Sequence, residues 1–197
     1  MMKKLIIIII VAFIAVGAYL YVDTARVNDV EVDGGEILLE TEKRYTNDQY
    51  GFSFIYPTSY FLEERRETEE GNTHLALVLT EDTEENRLVR EGKTPAREGP
   101  VAIVIDVYDL SKSSAPSLME WLKDTPASNF HLSDGTFANV TLSGTPAVSY
   151  EWDGLYRGRT IAIAREGVIL SLTETFTGAS DPIRSIFETV HKSFTLK

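Results

Sequence analysis

The residues best spaced for chemistry stand early in the chain, at Asp29, Glu31, Asp33 and Glu40. Oxygen donors at positions 1, 3, 5 and 12 of a loop, with glycine at position 6, are what an EF-hand type calcium site requires, and Gly34 falls in place. The match is incomplete. Position 3 is a glutamate, position 8 is Glu36 where an apolar residue is usual, and no helical pattern follows. The same stretch also reads as a small β-hairpin, because Val30 and Val32 alternate with acids, Asp33-Gly34-Gly35 is a turn, and Ile37 to Leu39 follows. Both readings stand on the sequence, and no other metal or cofactor is expected.

Other constellations are weaker. Gly92-Lys93-Thr94 has the ending of a phosphate loop, but the glycine needed five residues earlier is Arg87, and Pro95 follows. His74, His131 and His191 are far apart in sequence, with no His-x-x-x-His pair to bind zinc. Ser128, His131 and Asp134 contain the residue types of a nucleophilic triad, yet no Gly-x-Ser-x-Gly elbow exists and the segment reads as a surface loop. Asp106, Asp109 and Asp153 are acids at strand ends. Tyr150, Trp152 and Tyr156 offer an aromatic patch for a partner, although Val148, Tyr150 and Trp152 share one strand face and are better read as core. No catalytic residue is assigned, and an exported hydrolase with an unrecognised site is the alternative to a binding module.

These residues must be positioned by one modest domain. The chain has 197 residues, 43% hydrophobic and 25% charged, the composition of an ordinary folded protein. Nineteen basic against 30 acidic residues give a formal charge of -11, which repels phosphate backbones, so nucleic acid is not an expected partner. There is no cysteine, which removes disulfides, thiolate metal sites and a thiol nucleophile.

The N-terminus carries a membrane signal. Residues 1–4 hold Lys3 and Lys4, and Leu5 to Val22 follow without a charge. As a helix this run reaches about 27 Å, close to the hydrocarbon thickness of a bilayer, with Tyr19 and Tyr21 where interfacial aromatics belong. Lysines before the run and acids after it orient the rest of the chain outward. A transmembrane signal-anchor over 5–22, followed by an acidic spacer over 23–44 and an extracytoplasmic domain over 45–197, is the expected organisation. Cleavage near Ala18, within Val16-Gly17-Ala18, is the alternative and would give a secreted domain.

Within 45–197 the pattern is α+β. Tyr45 to Pro57 alternates as a strand, followed by Tyr60–Glu67 and His74–Leu79. Glu81 to Gly99 lacks periodicity and reads as a long loop with a helical turn at most. Val101 to Leu110 is expected to be a central strand covered on both faces. Ser114 and Pro116 open a helix through Leu122, ended by Pro126. Strands are expected at 137–142, 145–152, 159–165 and 168–176, with Glu166-Gly167 as a tight turn, then a helix capped by Ser180 or Asp181 and striped by Ile183, Ile186, Phe187 and Val190. Ser193 to Leu196 closes as a short strand.

The order of elements and three motifs resemble the PsbP-like family, named for an extrinsic subunit of photosystem II. Tyr50-Gly51-Phe52-Ser53-Phe54-Ile55-Tyr56-Pro57 is similar to the family's opening motif, with Tyr60 where tryptophan is usual. Leu142 to Trp152 resembles its central strand pair, and Ile186-Phe187-Glu188-Thr189-Val190 followed by Ser193-Phe194 resembles its close. The resemblance implies an antiparallel sheet flanked by helices, an α/β/α sandwich, and a binding or assembly role without a shared catalytic set. The expectation for the whole chain is a membrane-anchored binding or scaffold module that engages a protein partner at the outer membrane face.

Overall fold

The structure, a computed structural model, describes residues 31–33, 36–38, 41–69, 72–94, 99–110 and 116–197. The segment 5–22 lies outside the described residues, as do Asp29 and Glu40. Among the described residues no helix is long and apolar enough to cross a membrane. The chain divides into two units, Met1–Glu42 and Lys43–Lys197. In the first, β1 (Glu31–Asp33) and β2 (Glu36–Leu38) pair antiparallel, with Asp33 opposite Glu36. The hairpin reading of this stretch holds for its backbone.

The second unit is built on a seven-stranded antiparallel sheet. Its strands are β5 (Tyr60–Glu69), β6 (Asn72–Glu81), β7 (Ile103–Asp109), β8 (Ala138–Leu142), β9 (Thr145–Asp153), β10 (Arg157–Arg165) and β11 (Val168–Phe176). They lie in the order β5-β6-β7-β11-β10-β9-β8. Two meanders, β5 to β7 and β8 to β11, are therefore joined edge to edge by β7 and β11, with Ile105 opposite Leu172. A three-stranded sheet of β3 (Glu42–Asn47), β4 (Phe52–Pro57) and β12 (Thr195–Leu196) stands apart from it.

Strand alternation puts two cores on the two faces of the large sheet. On one face Leu75, Leu77, Leu79, Ile103, Ile105 and Leu172 pack against Phe52 and Phe54 of the small sheet and Phe187 and Val190 of α3 (Ile183–Ser193). On the other, Val148, Tyr150, Trp152, Ala162 and Ile169 pack against Trp121 and Leu122 of α2 (Leu118–Asp124). Helices thus cover both faces of an antiparallel sheet, in an α+β fold.

Four local expectations are corrected. The 45–57 run is two strands, because Asn47 Oδ1 accepts the Tyr50 amide at 3.0 Å and Gly51 takes φ 64°, folding 48–51 into a turn. The charged segment after β6 holds a helix, α1 (Glu84–Arg90), capped by Thr83 and ended by Gly92 at φ 65°. The Gly92 and Lys93 amides there bond Val89 and Leu88 carbonyls, so Gly92-Lys93-Thr94 is a helix C-terminus. α2 is capped by Ser117 and not by Ser114: Ser117 Oγ accepts the Glu120 amide, and the Glu120 carboxylate accepts the Ser117 amide. β7 is fully covered on one face only, with Ile103, Ile105 and Val107 buried and Val104, Asp106 and Tyr108 half-buried.

Candidate functional site

A cleft of about 250 Å³ opens where the β3–β4 turn faces the tip of the β10–β11 hairpin. The hairpin tip is tight because Glu166 and Gly167 both take positive φ, 51° and 80°, the geometry that matches strand twist. The floor is apolar, from Ile163, Val168, Leu170 and Leu196. The rim is polar, from Asp48, Gln49, Tyr50, Arg165, Glu166 and Lys197. Lys197 is drawn to the turn by its amide, which donates to the Gly51 carbonyl at 2.8 Å, and by its Nζ, 3.1 Å from Asp48. Burial and nearby Asp109 push the Tyr50 phenol up, and its hydroxyl oxygen is itself buried. An apolar floor beneath a rim of paired charges suits recognition of an amphipathic group.

A second cluster lies on the opposite sheet face. His74 Nε2 is 2.8 Å from Asp106 Oδ1, and the imidazole stacks on Tyr108 with ring centroids 4.3 Å apart and planes 3° from parallel. Tyr108 in turn tilts against Trp121 at 4.8 Å. The register explains the meeting, since His74 faces Tyr108 across β6 and β7 and Asp106 is the diagonal neighbour. The Asp106 hydrogen bond raises the His74 pKa against a smaller opposing effect of burial. Burial pushes the Tyr108 phenol far above its usual range.

The remaining sequence-marked residues separate. Ser128 is buried, its hydroxyl shared between the Leu122 and Thr125 carbonyls at 2.6 and 2.8 Å while accepting the Phe130 amide at 3.1 Å. His131 and Asp134 are exposed, and Asp134 is occupied by the Thr136 amide and hydroxyl. Asp106, Asp109 and Asp153 do not converge, because β11 and β10 lie between β7 and β9. Tyr150 and Trp152 are core, as their strand spacing indicated. The Tyr150 hydroxyl donates to the Ser128 carbonyl at 2.5 Å, and burial pushes its pKa up to about 12. Trp152 Nε1 donates to Thr160 Oγ1 at 3.1 Å, while Tyr156 is half-exposed and donates to the Gly99 carbonyl at 2.8 Å. Among the described residues no group of three histidine or acidic side chains is arranged to hold a metal ion. Of the calcium candidates, Glu31 and Asp33 belong to β1.

Comparison with solved structures decides the fold. The solution structure of cyanobacterial PsbP (CyanoP) from Synechocystis sp. PCC 6803 matches with a TM-score of 0.52 and 14% identity, over 85% of this chain and 98% of that one. The fold is PsbP-like. No protein-family model matches the chain, and no curated protein does. The PsbP-like motifs are now explained by packing, because the first and last of them meet. Phe194 stacks on Phe52 and Phe54 at 5.5 and 6.1 Å, Ser193 Oγ accepts the Ile55 amide at 2.9 Å, and Thr195 and Ser53 hydroxyls are 2.7 Å apart.

The PsbP-like core was signalled by aromatic alternation, but the cleft was not. Its turn was marked by Asn47, Asp48 and Gly51, which are turn formers. The partner surface, the tip at Glu166-Gly167, is over a hundred residues away in the chain.

Proposed function

We propose that this chain is a non-catalytic binding or scaffold module, a PsbP-like domain held at the outer face of a membrane by Leu5–Val22, which engages a protein partner through the cleft between the β3–β4 turn and the β10–β11 hairpin. The observation that carries the reading is that cleft, with an apolar floor at Val168 and Leu170 and a rim of already paired charges such as Asp48 and Lys197. Paired charges orient a partner's polar groups, and the floor supplies the apolar burial that makes binding favourable. Val168 is half-buried at the start of β11, so an acidic side chain there projects charge into the floor without opening the core beneath Leu172.

The test is photo-crosslinking from Gln49 on the rim, in the full chain in its own membrane. One recurrent adduct, lost in Val168→Glu, supports the reading. Adducts unchanged by Val168→Glu would reject the cleft as the binding surface.

A further inference from the structure

The two edges of the seven-stranded sheet are treated differently by the sequence. At one edge, β5 carries Glu63, Glu64, Arg65, Arg66, Glu67 and Glu69 in ten residues. Charge of that density is how soluble proteins keep an exposed edge from pairing with another strand. At the other edge, β8 carries none. From Gly135 to Tyr150 the chain has no charged residue at all, in a protein that is 25% charged. Phe137, which leads into β8, is 45% exposed. β8 has no bulge or proline of its own, and among the described residues it pairs only with β9, from Ala138 opposite Ser149 to Leu142 opposite Thr145. No described strand pairs with its other side, whose backbone groups a further strand would satisfy.

The side chains of β8 complement themselves. Val140 and Leu142 face the larger core, Leu142 fully buried and Val140 packed against it, while Asn139 and Thr141 are exposed. An antiparallel copy of β8 about a two-fold axis at Val140 sets Val140 opposite its own counterpart. Asn139 then faces Thr141 of the second copy. Apolar meets apolar on the core side, amide meets hydroxyl on the other, and no like charges meet in a molecule whose net charge of -11 discourages self-contact elsewhere. The charged β5 edge offers no such seam.

We infer that two copies of this chain associate through β8, edge to edge and antiparallel about Val140, to form one continuous fourteen-stranded sheet. The occupant of the edge is a second copy, because the edge is neutral and self-complementary where the rest of the protein is acidic.

The absence of cysteine makes the test clean. Full-length Val140→Cys, mildly oxidised in detergent, is expected to give a disulfide-linked dimer in most chains, whereas Arg65→Cys on β5 is expected to stay uncrosslinked. Thr141→Lys, exposed and so tolerated by the fold, is expected to weaken the dimer at least tenfold in sedimentation, with an unfolding temperature equal to that of the wild type at dilutions where both are monomeric. A monomeric wild-type chain would overturn the inference. So would a dimer indifferent to Thr141→Lys with Val140→Cys crosslinking no better than Arg65→Cys, or a Val140→Cys adduct in the membrane to a different protein.

Discussion

Glu174, with no accessible surface, meets the Arg159 guanidinium at 2.9 Å inside the layer between β10–β11 and α3. Arg159 also pairs with Glu188 at 2.6 Å and lies over the Phe187 ring, while Arg184 stands 3.9 Å from Glu174. Neither Glu174 oxygen meets a well-aligned donor among the described residues. Burial raises the Glu174 pKa and the two arginines oppose it, so its charge is kept only by their presence.

Arg159→Ala is therefore expected to cost about 3 kcal/mol at neutral pH by leaving a buried carboxylate short of its main counter-charge. The pH dependence has a definite sign. A carboxyl whose folded pKa is raised loses stability as pH climbs above its unfolded value, here 4.5. The variant's deficit should be smaller at pH 4 than at pH 7, where protonation of Glu174 no longer relieves it. Denaturant unfolding at both values checks this, and an equal deficit would contradict it.

The Trp152 indole lies across Gly158, its direct cross-strand partner, so closely that a Cβ at 158 would overlap the ring. Gly158→Ala is expected to destabilise by about 1–3 kcal/mol through overpacking, since the buried indole is also tied to Thr160. Near-ultraviolet circular dichroism should report a displaced tryptophan. An unchanged spectrum and melting temperature would refute the contact.

His74 carries a pH signature of opposite sign. Asp106 raises its folded pKa, so the pair stabilises fully below the ordinary histidine value and loses that contribution as pH rises through the folded one. Glu67, opposite on β5, acts in the same direction. The side chain is 35% exposed, and solvent screening limits the effect to under about 1 kcal/mol. His74→Gln should flatten the slope of stability between about pH 6 and 8, the range in which histidine titrates, and an NMR titration of the wild-type imidazole should show the upward shift.

Tyr150→Phe removes a buried hydroxyl and leaves the Ser128 carbonyl without that donor. A loss of about 1 kcal/mol in unfolding free energy is expected, with crosslinking from the cleft unaltered because Tyr150 lies on the opposite sheet face. Loss of crosslinking would instead give this aromatic cluster a binding role.

The last helix was legible because one face repeats, the Ile183–Val190 stripe, and burial on one face imposes a period; Val168 to Phe176 was legible as an apolar run behind a tight turn, buried on both faces. The break at Asn47–Gly51 was missed because Tyr50, Phe52 and Phe54 continue a period of two across a turn. The small sheet and the cleft were not legible. β12 pairs with β4 across more than 130 residues, and nothing local to Thr195 and Leu196 specifies Ser53 and Phe52 as partners. The His74–Asp106 pair was hidden for the same reason, since only the β6–β7 register brings the two side chains together. Both were visible as residue types, and neither as neighbours.

The most direct test of a membrane-held binding module is crosslinking and mass-spectrometric identification of neighbours of the full-length chain in its own membrane, beside a version lacking residues 5–22. A recurrent partner that disappears with that deletion is expected. Only abundant bystanders, the same with and without the segment, would contradict a binding role at the membrane face.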